Sequence, residues 1–249
     1  MDDKIKKLKE FIDESENIVF FGGAGVSTES GVPDFRSADG LYNRRDIRFE
    51  NYRPEYLLSH TCLEREPEVF FEFYRQKMDA RGVLPNAAHK FLAELEQKGK
   101  LKAVVTQNID GLHQKAGSKT VYEIHGSTMR NYCVKCGKRY GENYIFDSAD
   151  PVPRCSCGGM VRCDVTLYEE QLPYEDVEKA VDAISSADML IIGGTSLTVY
   201  PAASFVRYFS GEHTVIINKD HLPFGLDPVR DLEINAPIGK VFSELKEIM

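Results

Sequence analysis

Short apolar runs recur along this chain and alternate with segments whose apolar residues follow a helical spacing. Such runs, when polar or turn residues bound them, are typical of strands buried inside a sheet. Strand, helix and strand in succession build a parallel sheet, because the helix carries the chain back across one face. The sequence therefore predicts an α/β fold, with a Rossmann-like parallel sheet and helices on both faces. The predicted strands are 18–21, 102–105, 121–124, 189–192 and 214–217, and the predicted helices include 4–16, 86–97 and 174–185.

Two stretches interrupt this alternation. Residues 38–83 are rich in aromatic and charged side chains and predict a helical insertion. Residues 127–164 contain paired cysteines, and they hold too few aliphatic side chains to build a core of their own. The remaining segments, 1–37, 84–126 and 165–249, are expected to form one Rossmann-type domain.

Charge and composition argue against several classes of protein. A net charge of −8 and a pI near 5.4 disfavour a nucleic acid partner bound through overall charge. The excess carboxylates could attract a basic peptide, although a well-solvated surface is their commoner role. No stretch approaches the roughly 20 apolar residues that cross a bilayer, and residues 1–7 are not followed by the apolar stretch of a signal peptide. The expected location is the cytoplasm, where thiols stay reduced, and this favours a metal over disulfides.

Four of the six cysteines are spaced like metal ligands. Two close pairs on tight turns suit tetrahedral Zn²⁺, whose thiolate ligands lie at about 2.3 Å. The second pair is one residue shorter than the usual spacing, and glycines 158 and 159 supply the freedom for its turn. Four thiolates leave no open position for water, so the ion would be structural, in a zinc-ribbon-like module at 127–164; unrelated free thiols are the alternative. The predicted ligands are Cys133, Cys136, Cys155 and Cys157, whereas Cys163 is a spare thiol or a mistaken ligand and Cys62 a buried apolar residue.

A glycine-rich loop at 22–25 follows the first predicted strand and is expected to open a helix. Glycines there let the backbone approach a pyrophosphate, whose charge a helix N-terminus stabilises. Thr28 occupies the last glycine position of G-x-G-x-x-G, so a mere tight turn is the alternative. Further on, Phe35 could cover a flat ring and Arg36 could reach phosphate oxygens; the alternatives are a core aromatic and a surface salt bridge.

A second candidate loop follows the run at 189–192. It reads Gly193-Gly194-Thr195-Ser196, and its small hydroxyls are fit for phosphate or ribose. Asn218, which ends the run at 214–217, could bind a ribose hydroxyl.

Polar side chains cluster where the run at 102–105 ends. Asn108 and Asp110 flank Ile109, so in an extended segment they point to one side and Ile109 to the other. An amide beside a carboxylate suits recognition of a carboxamide. His125 ends the next run, and histidine is the side chain best suited to proton transfer near neutral pH. A lone histidine is more often structural, but the strand-end position beside a glycine favours catalysis here; His60, His89, His113, His213 and His221 have no such context.

Taken together, these residues resemble the sirtuin family of NAD-dependent protein deacylases, in particular its bacterial members. The resemblance implies a Rossmann-type NAD-binding domain with a zinc module and a helical module, and NAD⁺ in the cleft between them. It also implies an acetyl-lysine protein or peptide bound as an extra strand. The matching segments are 23–27, 31–36, 106–110, 125–126, the four cysteines, 194–197 and 199–202.

The resemblance also implies roles for single residues. The acetyl oxygen would displace nicotinamide and form an alkylamidate. His125 would be the general base on the ribose hydroxyl that attacks this intermediate. Free lysine and O-acetyl-ADP-ribose would result. Asn108 would assist catalysis. The pyrophosphate side would involve Ala24, Thr28 and Arg36, the nicotinamide pocket Phe35, Ile109 and Asp110 beside Asn108, and the ribose Gln107. The other implied cofactor contacts are Gly23, Gly25, Gly194, Thr195, Ser196, Asn218 and Ile238, and the implied substrate contacts are Val165, Thr166, Tyr168 and Val199.

The chain departs from the family pattern where the peptide would lie. Arg162-Cys163-Asp164 stands in place of Arg-Pro-(Asn/Asp), and 165–170 lacks the usual Phe-Gly-Glu ending. Members that prefer succinyl or malonyl groups carry Tyr-x-x-Arg, whereas this chain has Lys77 at the fourth position of the motif that begins at Tyr74. We therefore expect a preference for acetyl or other uncharged acyl groups.

Other functions stay open at this stage. A mono-ADP-ribosyltransferase could use the same cofactor cleft, and a deacylase could act on longer uncharged acyl groups. A zinc-bearing NAD sensor is the alternative outside enzymes. The sequence leaves the oligomeric state open.

Overall fold

A computed structural model describes residues 2–35, 37, 40–42, 46–223 and 225–249 of the chain. It contains one large sheet and one small sheet. The strands are β1 (Ile18–Gly22), β2 (Leu101–Thr106), β3 (Val121–Glu123), β4 (Gly126–Cys133), β5 (Arg139–Gly141), β6 (Val161–Val165), β7 (Met189–Gly193), β8 (His213–Asn218) and β9 (Asp231–Asn235).

The large sheet is parallel throughout, in the order β3-β2-β1-β7-β8-β9. This is the strand order of a doubly wound dinucleotide-binding fold, whose direction of winding switches between β1 and β7. Both central strands are buried along their whole length, because helices cover both faces. The fold prediction is confirmed, and each of the five predicted strands is present.

The helices are α1 (Asp2–Glu14), α2 (Pro54–Leu57), α3 (His60–Arg65), α4 (Pro67–Lys77), α5 (Ala87–Gln97), α6 (Leu112–Ala116), α7 (Asn143–Phe146), α8 (Tyr174–Ser186) and α9 (Ile238–Lys246). One face of the large sheet packs against α1, α5 and α9, where Phe20 belongs to the apolar core. The other face packs against α8 and the 3₁₀ segment Ala202–Tyr208, where Val19 and Phe21 belong to the core. The start of α5 is fixed by Asn86, whose side chain accepts a hydrogen bond from the main chain of Ala88. Within the described residues, none of these helices combines the length and the apolar character needed to cross a membrane.

The small sheet and the inserted helices share one apolar core. The small sheet is antiparallel, in the order β5-β4-β6, and carries the paired cysteines. Val161 of β6 and Ile145 of the neighbouring α7 pack in one cluster with Phe70 and Phe71 of α4. The segment at 127–164 thus borrows the hydrophobic core that its composition does not supply.

The glycine-rich loop does not open an α-helix, so that expectation is wrong. The loop continues into two 3₁₀ turns, Ala24–Val26 and Thr28–Ser30. Gly31 then adopts the left-handed conformation, with φ of 90°, and Pro33 follows two residues later. A left-handed glycine followed by a proline ends a helix, so the turn cannot propagate.

Candidate active site

Five strands of the large sheet end in polar or glycine-rich segments, and parallel pairing places those ends along one edge. Gly22, at the end of β1, pairs with Gly193 of β7 on one side and with Thr106 of β2 on the other. The segments that follow β1, β2, β3, β7 and β8 contain most of the candidate site residues. This edge, at the switch in strand order, is where open α/β sheets bind ligands.

The two glycine-rich loops pack directly on each other. The main-chain N–H of Gly25 donates to the carbonyl oxygen of Gly194 at 2.8 Å. A Cβ on Gly25 would lie 2.8 Å from the Cα of Gly194, and one on Gly194 would lie 2.4 Å from the nitrogen of Val26. Gly194 also has a φ of 57°. These glycines are therefore required for the contact between the loops, a reason that the sequence analysis did not anticipate.

The buried hydroxyl of Ser27 joins three polar side chains. It donates to Asp110 Oδ2 at 2.7 Å and accepts from Asn108 Nδ2 at 3.1 Å. His89 Nε2 lies 3.5 Å from the same oxygen. Ser27 is only 1% exposed, so these side chains replace water as its hydrogen-bonding partners.

Both ring nitrogens of His89 have polar neighbours. Nδ1 lies 3.3 Å from the main-chain nitrogen of Asn86 and 3.1 Å from its Oδ1, while Nε2 faces Ser27. Burial lowers the pKa of His89 to about 4, which keeps the ring neutral at pH 7. The sequence analysis missed Ser27 and gave His89 no role, although the spacing of Asn86 and His89 at the start of α5 was a usable signal.

Asn108 and Asp110 lie on one side of their segment, as the sequence predicted. Because Asn108 Nδ2 donates to Ser27, the amide orientation is fixed, and Oδ1 has no partner within the described residues. Burial raises the pKa of Asp110, whose Oδ1 accepts from the main chain of Leu112 at 2.9 Å. Ile109 instead packs at the margin of the smaller apolar core, as Phe35 does.

Gln107 ties three parts of the edge together. Its main-chain N–H donates to the carbonyl oxygen of Gly22 at 2.9 Å, and its Nε2 donates to Thr195 Oγ1 at 3.1 Å. Its carbonyl oxygen lies 3.0 Å from Nδ1 of His125. A carbonyl can only accept, so Nδ1 carries the hydrogen and Nε2 keeps a free lone pair.

The environment of His125 favours the neutral ring. Burial lowers its pKa, and the hydrogen bond to the carbonyl of Gln107 opposes that shift only in part. The next residue, Gly126, has a φ of 75°, and a Cβ there would lie 2.1 Å from the carbonyl oxygen of Asp164. Only glycine allows β4 to start so close to β6, and this start fixes the position of His125.

Other predicted cofactor residues lie at the same edge and differ in their exposure and in their hydrogen-bonding partners. Thr28 Oγ1 donates to the carbonyl oxygen of Gly25 at 3.0 Å. Asn218 ends β8 and donates to the main chain of Asp220 at 2.9 Å. Ser196 is exposed and pairs with the hydroxyl of Thr198 at 2.7 Å. Ala24 and Phe35 are half-buried, the side chain of Ile238 lies in the apolar core beside Gly193, and Arg36 is outside the described residues.

The segment predicted to bind substrate continues from β6 beside His125. Val165 pairs with Gly126, and the N–H of Thr166 donates to the carbonyl oxygen of His125 at 2.9 Å. Tyr168 is bound through its main chain to the start of α3, where it donates to Leu58. Val199 follows the second glycine loop and is half-buried.

Two glutamates stabilise the unusual ending of this segment. Glu169, at the place of the usual glycine, has a φ of 76°. Its Oε2 accepts from the main-chain N–H of Thr61 at 2.9 Å and from its hydroxyl at 2.7 Å, and these bonds help offset the strain. Glu170 accepts two hydrogen bonds from the guanidinium of Arg162, at 2.6 and 3.0 Å.

Neither Tyr74 nor Lys77 is available to bind a negatively charged acyl group in this structure. Tyr74 is 1% exposed, inside the smaller core. Lys77 Nζ forms an ion pair with Asp46 at 3.1 Å.

The four predicted metal ligands converge. All four sulfur atoms lie within 4.8 Å of one another, and the pairs Cys133–Cys157 and Cys136–Cys155 are 3.5 and 3.7 Å apart. Thiolates on a tetrahedral zinc ion are separated by about 3.8 Å, given Zn–S distances of about 2.3 Å. The donor set and its spacing fit a structural zinc ion. The residues that could hold the ion are Cys133, Cys136, Cys155 and Cys157, whereas Cys163 is buried in the smaller core and is not part of this group, and Cys62 is buried in α3.

Comparisons with known proteins agree on one family. The sequence profile of the Sir2 family matches residues 23–201. A Clostridium perfringens protein named NAD-dependent protein deacetylase is 58% identical over 248 residues, which cover 98% of this chain and 99% of that protein. A Cutibacterium acnes protein of the same name is 52% identical over 97% of each chain.

Solved structures show the same likeness in three dimensions. A Sir2 protein bound to an acetylated peptide superposes with a TM-score of 0.84, at 33% identity over 98% of each chain. A complex described as Sir2, p53 peptide and NAD⁺ superposes with a TM-score of 0.83, at 34% identity over 98% of each chain.

Proposed function

This chain belongs to the Sir2 family, and from that premise we propose that it is an NAD-dependent protein-lysine deacetylase. NAD would supply a ribose carbon that loses nicotinamide and accepts the acetyl group of acetyl-lysine. The observation that carries the proposal is the position of Gln107, which binds the first glycine loop, the second glycine loop and the imidazole of His125 at once. The groups that such a reaction needs are therefore fixed relative to one another.

His125 acts as the general base. Its Nδ1–H is held by the carbonyl of Gln107, which leaves Nε2 to accept the proton of a ribose hydroxyl. The lowered pKa keeps Nε2 unprotonated near neutral pH, so the base form dominates before the substrate arrives.

Asn108 and Asp110 orient the reacting groups. Ser27 fixes the amide of Asn108 with Oδ1 left as an acceptor, and it holds the carboxylate of Asp110 at the same time. Polar groups that are held in place before binding lose little freedom when the reactants bind. Asp110 would contact the carboxamide of nicotinamide, with Phe35 and Ile109 covering its ring.

The remaining cofactor contacts follow from the edge of the sheet. Gln107 would meet the ribose, and Ala24, Thr28 and Arg36 the pyrophosphate. The second glycine loop and Asn218 would bind the far ribose. The complete set of proposed contacts adds Gly23, Gly25, Gly194, Thr195, Ser196 and the main chain of Ile238, whose side chain is buried.

The peptide would lie against the segment that follows β6. Val165 pairs with Gly126, and Thr166 is bound to the main chain of His125, so we propose that these two residues contact the peptide next to the acetyl-lysine. Tyr168 would contact it further along the segment, and Val199 would contact it from the second glycine loop. We propose acetyl and other uncharged acyl groups as substrates, because Lys77 is already paired with Asp46.

Zinc would be held by the four cysteines and would stabilise the small sheet. Reduced thiolates support the cytoplasm as the proposed location, which detection of the protein in an exported fraction would contradict. We propose that residues 1–37, 84–126 and 165–249 form the Rossmann-type domain. Residues 38–83 would be the helical insertion, and residues 127–164 would be the zinc module. Limited proteolysis that cuts first inside the large sheet would contradict that division.

Incubation of purified protein with NAD⁺ and an acetyl-lysine peptide tests the function. We expect release of nicotinamide, free lysine and O-acetyl-ADP-ribose in equal amounts. Transfer of a radiolabelled ADP-ribose group onto protein, without deacetylation, would instead identify a mono-ADP-ribosyltransferase. Binding of NAD⁺ without release of nicotinamide would identify a sensor.

A further inference from the structure

Two tyrosines join the loop that carries Phe35 to the segment that would bind peptide. The hydroxyl oxygens of Tyr42 and Tyr168 lie 2.9 Å apart, so one phenol donates to the other. Both side chains are half-buried at the margin of the smaller apolar core. A hydrogen bond in such a place is shielded from competing water and is stronger than a hydrogen bond on the open surface.

The main chain holds Tyr168 on both sides. Its N–H donates to the carbonyl oxygen of Leu58, and its carbonyl oxygen accepts from the N–H of His60, each at 3.0 Å. Two residues earlier, Thr166 is bound to the carbonyl of His125. The phenol of Tyr168 is therefore attached to a segment whose position is well defined, beside the proposed peptide site.

Tyr42 is attached in the same way to Phe35. The N–H of Tyr42 donates to the carbonyl oxygen of Phe35 at 3.0 Å, and the two rings meet edge to face with centroids 5.4 Å apart. A displacement of Tyr42 must consequently displace Phe35, which packs at the margin of the same core as Ile109.

We propose that the hydrogen bond between Tyr42 and Tyr168 positions Phe35 against NAD and couples the binding of peptide to the binding of NAD. The inference rests on the proposed function, because it assigns both tyrosines to that site as positioning residues. The main chain of Tyr168 is already held, so peptide on the segment at 165–168 would act on its phenol, and that phenol holds Phe35 through Tyr42. By linkage, NAD strengthens peptide binding by the same factor.

Calorimetry with a non-reactive NAD analogue, carba-NAD, measures the coupling without turnover. The affinity for the analogue is determined with and without saturating acetyl-lysine peptide, in the wild type, Tyr42→Phe, Tyr168→Phe and the double variant. The enhancement is the factor by which peptide increases the affinity for the analogue. We expect each single variant to reduce this factor about fivefold, a typical value for one hydrogen bond, and the double variant to reduce it no further. Tyr144→Phe is the matched control, since it removes the hydrogen bond from a phenol of α7 to the carbonyl oxygen of Arg154.

Steady-state kinetics separates positioning from general damage. We expect the variants to raise the KM for NAD severalfold while kcat changes less than about twofold. In a Phe35→Leu background, Tyr42→Phe should add little further effect. Multiplicative losses in the double variant, an equal loss in Tyr144→Phe, or a loss in kcat alone would overturn the proposal.

The two hypotheses fail in different ways. Turnover by the wild type, together with unchanged coupling in the phenylalanine variants, overturns the positioning role and leaves deacetylation intact. A wild type that releases no nicotinamide, but whose coupling depends on both tyrosines, overturns the proposed function and supports the coupling.

Discussion

The carbonyl oxygen of Gln107 lies 3.0 Å from Nδ1 of His125 and thereby sets which nitrogen of that ring can act as a base. Burial disfavours the charged ring and lowers its pKa. A base with a lowered pKa remains unprotonated as the pH falls toward the ordinary histidine value of about 6.5. The structure thus makes a prediction about the pH profile.

We predict that kcat/KM for deacetylation stays level from pH 8 down to about 6.5 and falls only below it. His125→Ala should lose at least about 100-fold in kcat, with unchanged zinc content and unchanged melting temperature. Rates measured in buffers of constant ionic strength check this. An acid limb centred above pH 7, or full turnover by the variant, would contradict the assignment of the base.

Ser27→Ala should lower both activity and stability, because Asn108, Asp110 and His89 lose their common hydrogen-bonding group. We expect a loss of about 1–3 kcal/mol in the free energy of unfolding and a fall in kcat of tenfold or more. Denaturant unfolding and nicotinamide release measure the two effects. Ser30→Ala is the control, since its buried hydroxyl has no partner within the described residues and its removal should cost little. Equal effects of the two variants would argue against the role of Ser27.

The burial of the His113 ring leads us to predict that the folded chain is less stable at acidic pH. This ring is buried, lies 4.7 Å from the ring of His89 between centroids with the two planes tilted by 60°, and has no hydrogen-bonding partner within the described residues. Burial lowers the pKa of His113 well below its ordinary value, so below about pH 6.5 the unfolded chain binds a proton that the folded chain does not. Stability should therefore fall as the pH drops from 6.5 toward 4. His89, whose pKa in the folded chain is about 4, contributes to the same fall over that range.

His113→Phe should reduce this pH dependence while keeping the shape of the ring. Unfolding by urea at pH 7.5 and pH 5 in both proteins measures the difference in slope. A variant with the same slope as the wild type would show that the acid sensitivity arises elsewhere.

Removal of zinc should affect two parts of the chain that are distant in sequence. We expect a single zinc ion per chain, lost in Cys136→Ser and retained in Cys62→Ala. Because Phe70 and Phe71 of α4 share a core with the small sheet, loss of the metal should also lower hydrogen-exchange protection across residues 54–77. Mass spectrometry after exchange of the chelated protein checks this, with β7 as the internal reference. Unchanged protection in α4 would mean that the shared core is stable without the ion.

Local patterns predicted most of the framework, and non-local contacts explain what they missed. Strands such as β7 are apolar at every position, so a short window suffices to find them. β9 was not predicted because it lies at the edge of the sheet, where charged Asp231 and Glu233 interrupt its apolar residues. The helix expected after the first glycine loop depended on a motif, and the left-handed Gly31 prevents it.

The site was predicted residue by residue wherever a strand end revealed it, as for His125 and Asn108. Ser27 and His89 were not, because their partnership joins positions 62 residues apart in the chain. Such a contact depends on how α5 packs beside the sheet, which no short window contains. The glycines were singled out for the approach to a cofactor, whereas their packing of loop on loop became visible only in three dimensions.

The common core of the inserted helices and the small sheet limits how such a protein can be recombined. The two segments share one apolar core, so a chimera that takes residues 54–77 from one relative and 126–165 from another would bring together side chains that were not selected to pack on each other. The two segments are exchangeable only as one unit, although the strands β2 and β3 separate them along the chain.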